Sequence, residues 1–328
     1  KNSPKEVLPC VACQPRSEDM DTTESRGDAA HGSDSGTATS VLQRIRESLA
    51  ELQWPSVLKR TWSAAGPPEK SESSVRVLSL NLLADSKQKE EEWSATPEDV
   101  LQWPKRRLRL LEILLQEEAD IICLQELDMV PEGSLEIELC LAGYQGIFTK
   151  PKPPATDGCA VFVKQDRFTV IEEADAGYAA VALLKDRRSE LQLVAASAHL
   201  KSGKTEVAEK QRRDQMASLL DLLSRMSTPA HGVIVACDMN AVSVPDGKIG
   251  DPLAYTAALS HDLQLKSSYA ESSKEPEFTT WKLRPKGEVK RTIDYILHSP
   301  SLCLAALLKL PSEAEMPKAR LPSHSYPS

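Results

Sequence analysis

The chain has 328 residues, 41% of them apolar, and a formal net charge of −8. That length supports one large core plus extra segments, and no run approaches the roughly 20 apolar residues of a membrane-spanning helix. The acidic balance excludes a surface broadly coated with phosphate contacts, yet leaves room for a local basic pocket and for the carboxylates that hard divalent cations require.

Residues 1–39 are rich in Ser, Asp, Glu, Thr and Gly and poor in large apolar side chains. Such a segment cannot bury enough surface to offset ordering entropy, so disorder is predicted. Cys10 and Cys13 form a CxxC without a second pair, and two free thiols are expected rather than a metal site. The seven scattered cysteines suit a reducing compartment, and the expected location is cytoplasmic or mitochondrial. The first residue is Lys1 rather than an initiating Met, so the native N-terminus is expected upstream.

From Ser40 the pattern changes. Leu42, Ile45, Leu49 and Leu52 recur at helical spacing, predicting an amphipathic helical segment at 40–64 whose helix ends at Pro55. Its stripe is expected to pack on the main domain; the alternative is a face over 40–54 that docks a protein partner. Residues 65–74 (AAGPPEKSES) read as a linker.

The main domain spans 75–328. VRVLSLNLLA, from Val75, is a buried strand. Pro104 opens a helix whose stripe is Leu108, Leu111 and Leu115, widened by Leu114. After Asp120 come the strand IICLQE, further apolar patterns at 160–163, 178–184 and 191–198, and a helix over 206–225. Strands follow at 233–237 (VIVAC) and 292–297 (TIDYIL). The uneven alternation, with several strand-to-strand connections in the second half, favours a mixed α/β sandwich over a doubly wound parallel sheet.

Polar residues terminate or interrupt these strands: Asn81, Glu126, His199, the pair Asp238 and Asn240, and Asp294. Each alone is an ordinary turn or surface residue. Together they supply oxygen ligands for a hard cation, a base, and a donor to an oxyanion, all mounted where a sheet holds them rigidly.

LSLNLLA, ICLQELD, GYQGIFTKP, DGCAVFV, SAHLK, CDMNA and TTWKLRPKGEVKRTIDYI resemble, in that order, the motifs of the endonuclease/exonuclease/phosphatase (DNase I-like) superfamily. The resemblance runs from about Val75 to Ser328 and is nearest to the branch that includes the poly(A) deadenylases. It implies a four-layer α/β/β/α sandwich of two mixed sheets flanked by helices, and a Mg²⁺-dependent, monomeric phosphoester hydrolase. Carried onto this chain, Glu126 would bind Mg²⁺ helped by Asn81, Asp238 would orient and deprotonate water, and Asn240 would hold that water or the phosphate. His199 would donate to a phosphate oxygen, and Asp294 would orient a histidine.

The same resemblance places Lys150, Lys201 and Arg284 around substrate phosphates and offers Asp157 as a nucleotide contact, the Gly158 turn being an equally good reason for that motif. It also reveals departures. An Arg two residues beyond the His-Leu-Lys is here Gly203, followed by Lys204; Cys237 stands where Gly is usual; the loop between Lys152 and Asp157 is short. The family's Ser-Asp-His would follow LPSHSYPS, so its Asp and His are expected beyond Ser328. His324, four residues too early, is expected to be a loop residue. On this reading the full-length protein is the enzyme, and a chain ending at Ser328 lacks the last strand and is inactive.

The leading substrate is the 2′-phosphate of NADPH or NADP⁺, from the TKP, HLK and WKLR elements. The second is the 3′ end of poly(A) RNA, which would need aromatic stacking that only Trp281 is placed to offer. A third reading, from another class, is an inactive protein that binds a partner.

Overall fold

The computed structural model describes residues 36–63, 74–88, 93, 95–129, 135–247 and 249–327. The disorder expected over 1–35, the Cys10–Cys13 pair and the linker through residue 73 lie outside the described residues. In chain order the elements are α1 (Gly36–Glu51), β1 (Val77–Asn81), α2 (Glu98–Leu101), α3 (Trp103–Gln116), β2 (Ile121–Asp128), α4 (Leu135–Leu141), β3 (Tyr144–Phe148) and β4 (Asp157–Lys164). There follow β5 (Phe168–Asp175), β6 (Ala179–Asp186), β7 (Gln192–His199), α5 (Glu206–Met226), β8 (Gly232–Asp238), α6 (Leu253–Ser260), β9 (Lys266–Ser267), α7 (Ser268–Ser272), β10 (Thr280–Arg284), β11 (Gly287–Arg291) and β12 (Asp294–His298).

Two mixed sheets form, in the orders β1-β2-β4-β3 and β5-β6-β7-β8-β12-β9, with β10 and β11 as a separate hairpin. In each large sheet one pair is parallel: β1 with β2, and β7 with β8. The sheets meet through Ile121, Cys123, Val161 and Val163 on one side and Ala180, Ala182, Leu184 and Ala195 on the other. The outer face of the first sheet packs on α1 and α3, that of the second on α5 and α6. The architecture is the expected four-layer α/β/β/α sandwich.

Local chemistry explains the helices. Thr205 caps α5 by accepting from Ala208 N, with Glu206 and Glu209 in the first turn and Arg225 in the last. Pro104 stands in the first turn of α3, where no N–H partner is missed. β8 is buried at every position because it lies between β7 and β12, which accounts for its unbroken apolar run.

The structure corrects the first helix in two respects. It begins at Gly36 rather than Ser40 and ends at Glu51, with Gln53 in the left-handed region (φ 55°) before Pro55. Val41, Ile45 and Leu49 are buried in one cluster with Leu110, Leu111 and Leu114, so the face considered for a partner is already covered by α3. Ile45→Ala should therefore cost about 2–5 kcal/mol in thermal or urea unfolding. A variant of wild-type stability would return that face to the role of a docking surface. The sequence pattern also passed over β3, β5 and the β10–β11 hairpin. β5 is an edge strand whose outward positions are exposed, which dilutes its apolar signal.

Candidate active site

The pairing registers decide which strand ends meet. Asn81, the last residue of β1, stands opposite Gln125 in β2, His199 opposite Asp238, and Asp294 opposite Asp238. Glu126 occupies a bulge between Leu124 and Leu127, with φ 52°. A left-handed glutamate is a strained conformation, and the bulge re-aims its carboxylate while Gln125 keeps pointing between the sheets. Gln125 Nε2 donates to Ser197 Oγ at 3.0 Å, and Ser197 Oγ donates to Leu124 O at 2.8 Å, pinning the two sheets together next to the site.

At this rim Asn81 Nδ2 donates to Glu126 Oε1 at 2.9 Å and to Asp238 Oδ2 at 2.8 Å. His199 Nε2 lies 3.9 Å from Glu126 Oε1 and 3.8 Å from Asp238 Oδ2, too far for hydrogen bonds. Ligand atoms of Glu126, His199 and Asp238 all lie within 4.8 Å of one another. Asn240, also left-handed at φ 52°, sends its backbone N–H to Asp238 Oδ1 at 3.0 Å and its amide to Leu200 O at 3.2 Å. Asp294 accepts from Thr279 Oγ1 at 2.6 Å.

Asn81 Oδ1 accepts the Leu83 N–H at 2.8 Å, which fixes the amide orientation and turns its NH₂ toward the carboxylates. Asn81 is thus a donor that orients the Glu126 and Asp238 carboxylates. A rim carboxylate such as Glu126 suits a hard cation that keeps several waters; the imidazole suits a donor role better than ligation.

The carboxylates differ in character. Burial would raise the Glu126 carboxyl, but His199, the Asn81 hydrogen bond, Lys87 and Lys282 outweigh it and hold the group below its ordinary value. Burial, and then the neighbouring Asp238, push Asp294 upward, with the Thr279 bond opposing. One group stays charged and the other is a reluctant anion, a division of roles that environment alone imposes.

The outer residues are less uniform. Lys150 and Lys201 are exposed, and their backbone amides are held by Asp175 Oδ2 and Gln215 Oε1, both at about 2.8–2.9 Å. Arg284 stacks on Trp93, 3.7 Å from the ring centroid. Asp157 is nearly buried and pairs with Lys87 at 2.6 Å, so its carboxylate is engaged within the protein. Trp281 is 2% exposed, packed against Phe278, Met316 and Leu321 and covered by Lys290 and Arg320. It offers no free face to a base, which corrects the stacking role. His324 sits away from the cluster, 2.9 Å from Asp99 and edge-on to Trp54. Sequence reasoning missed Lys87, Lys282, Thr279 and Asp128, which accepts from Asp85 N at 2.7 Å. A second carboxylate two residues after Glu126 was the available signal for Asp128; nothing local marked the others.

The Endonuclease/Exonuclease/phosphatase family model matches residues 78–328. Human nocturnin is 32% identical over 280 residues, covering 77% of this chain and 63% of that protein, so the chain spans less than two thirds of its relative's length. The solved human nocturnin catalytic domain with bound sulfate superposes with a TM-score of 0.62 at 29% identity, over 82% of this chain and 93% of that one. ANGEL2, solved as a 2′,3′-cyclic phosphatase, shares the fold at a TM-score of 0.65 and 19% identity, over 83% and 96%. The chain belongs to the endonuclease/exonuclease/phosphatase family.

Proposed function

We propose that the chain forms the core of a Mg²⁺-dependent phosphoester hydrolase that removes the 2′-phosphate of NADPH and NADP⁺. The observation that carries the hydrolase reading is the meeting of Glu126, His199 and Asp238 within 4.8 Å, oriented by Asn81. When bound, Mg²⁺ supplies charge to offset that gathering on the phosphate and the leaving oxygen. Glu126, kept ionised by its neighbours, holds the cation side of the site. Asp238 accepts the proton of the attacking water, its orientation set by the Asn240 N–H and the Asn81 amide. His199 Nε2 donates to a phosphate oxygen as charge develops.

The choice of a small substrate over RNA is supported by Trp281. Trp281, the ring that the sequence offered for base stacking, is buried under two cations. The relatives in the Ccr4 group favour the alternative; one carries the name of a 3′-5′-exoribonuclease subunit and is 29% identical over 147 residues. The deciding experiment compares phosphate release from NADPH with nucleotide release from oligo(A), using the full-length protein with Mg²⁺. Faster phosphate release is expected; shortening of oligo(A) with no phosphate release would overturn the substrate assignment. Lys201→Ala should raise KM for the phosphate substrate about tenfold with kcat little changed, since one charge-assisted hydrogen bond is worth about 1.5–3 kcal/mol. An unaltered KM would remove Lys201 from the phosphate site.

A further inference from the structure

Two arginines in the protein are wholly buried and spend their guanidinium groups on backbone carbonyls of the loops that carry the site. Arg106, on α3, donates from Nη1 to Leu82 O at 2.7 Å and Leu83 O at 2.8 Å, and both Arg106 and Arg212 are 0% exposed. The turn it grips is the one whose Leu83 N–H fixes the Asn81 amide and whose Ala84 N–H reaches Glu126 Oε2 at 3.1 Å. Leu83 itself is left-handed, φ 58°, so the turn does not hold this shape unaided. Arg212, on α5, donates from Nη1 to Lys201 O at 2.9 Å and Gly203 O at 2.8 Å. Its Nε meets Glu209 Oε2 at 2.7 Å, and Glu209 Oε1 accepts Ala254 N from α6. The loop it grips begins one residue after His199 and carries Lys201.

Burying a guanidinium is expensive, and for Arg106 the nearest carboxylate is Asp85 at 3.4 Å, a poor return. Stability alone is a weak reason for such a group. In each case one Nη1, at the end of a long buried stem, holds two carbonyls of the same turn at once, which is well suited to setting its shape. The two helices that follow the strands of Asn81 and His199 thus each send one arginine back to the loop that the strand feeds.

We propose that Arg106 and Arg212 are positioning residues with separate tasks: Arg106 sets the Asn81–Glu126 pair for the cation, and Arg212 sets the Lys201 loop for the phosphate. This rests on the hydrolase reading above. It also gives Gly203 a reason: its φ of 125° suits glycine, and an added Cβ would come 3.2 Å from the Ala208 side chain, disturbing the carbonyl that Arg212 holds.

The test uses the full-length protein and three variants, Arg106→Met, Arg106→Lys and Arg212→Lys. Each is followed by Mg²⁺ calorimetry, by steady-state kinetics and by thermal unfolding. For both Arg106 variants Mg²⁺ affinity should fall about tenfold or more, the range seen when a residue supporting a metal ligand is lost, while KM at saturating Mg²⁺ stays near wild type. For Arg212→Lys, KM should rise severalfold with Mg²⁺ affinity unchanged. Lysine keeps the charge of each arginine but ends short of the Nη1 position that holds both carbonyls, so it remains informative where Arg106→Met does not fold. Wild-type Mg²⁺ affinity in Arg106→Lys, or a lowered Tm as the sole change in any of the three, would show a merely structural role and overturn the proposal. A wild-type protein that binds no Mg²⁺ and cleaves no phosphoester would instead sink the hydrolase reading itself.

Discussion

Replacing Glu126 with alanine in the full-length protein should lower Mg²⁺-dependent phosphoester turnover about 10³-fold or more. The cation supplies several kcal/mol of charge stabilisation, and each 1.4 kcal/mol is roughly a factor of ten in rate. Glu126 cannot readily be replaced by a neighbour, because the bulge and its φ of 52° bring this one carboxylate over the rim. Glu126→Gln separates charge from shape. It preserves the side-chain length and keeps one of the two oxygens that Asn81 Nδ2 and Ala84 N–H bond separately, yet should be as inactive as the alanine variant. Because its surroundings hold the Glu126 carboxyl below its ordinary value, the ionised form is favoured in the folded state, and neutralising it should not stabilise the cation-free protein. Full Mg²⁺-dependent turnover by the glutamine variant, measured as phosphate release, would remove Glu126 from the cation site.

Arg167→Met should destabilise the protein by about 3–5 kcal/mol, the usual cost of leaving a buried charge without its partner. Arg167 is 1% exposed and lies 2.9 Å from Asp120 Oδ2 and 2.8 Å from Asp186 Oδ2. Asp120 precedes β2 in one sheet and Asp186 ends β6 in the other, so this arginine ties the two sheets together. For a domain of this size the loss corresponds to roughly 10 °C in Tm.

The pH dependence gives the same prediction a second reading. Burial raises the Asp186 carboxyl, but the Arg167 hydrogen bonds, the Arg188 N–H and the Arg167 charge outweigh it and hold the group below its ordinary value. Its contribution is therefore present above the ordinary carboxylate pKa of about 4 and disappears as the pH falls through the lower, folded value. In Arg167→Met the deprived Asp186 favours its neutral form, so the deficit should shrink in acid. Urea unfolding at pH 7 and near or below about pH 3 checks both parts. A deficit under 1 kcal/mol that does not change with pH would refute the account.

How much of this was legible in the amino-acid order depends on the range of the interaction. Apolar periodicity marked β1, β2, β7, β8, α3 and α5, because a buried face repeats every two or 3.6 residues whatever lies opposite it. Polar residues closing apolar runs marked Asn81, Glu126, His199, Asp238 and Asp294, since a strand end is a local feature. Edge strand β5 and the β10–β11 hairpin gave no comparable pattern, because one or both of their faces meet solvent or other loops.

What the chain order could not decide was orientation and access. Trp281 and Asp157 looked available as sequence, but Trp281 lies between Lys290 and Arg320, and Asp157 faces Lys87. The Asn81 amide was turned by a hydrogen bond from Leu83, and the bulge at Glu126 came from its pairing with β4. By itself the sequence determined the sandwich and the roster of polar strand ends, through short-range patterns of burial. Only the tertiary structure decided which of them face one another, because strand register, bulges and ion pairs join residues far apart along the chain.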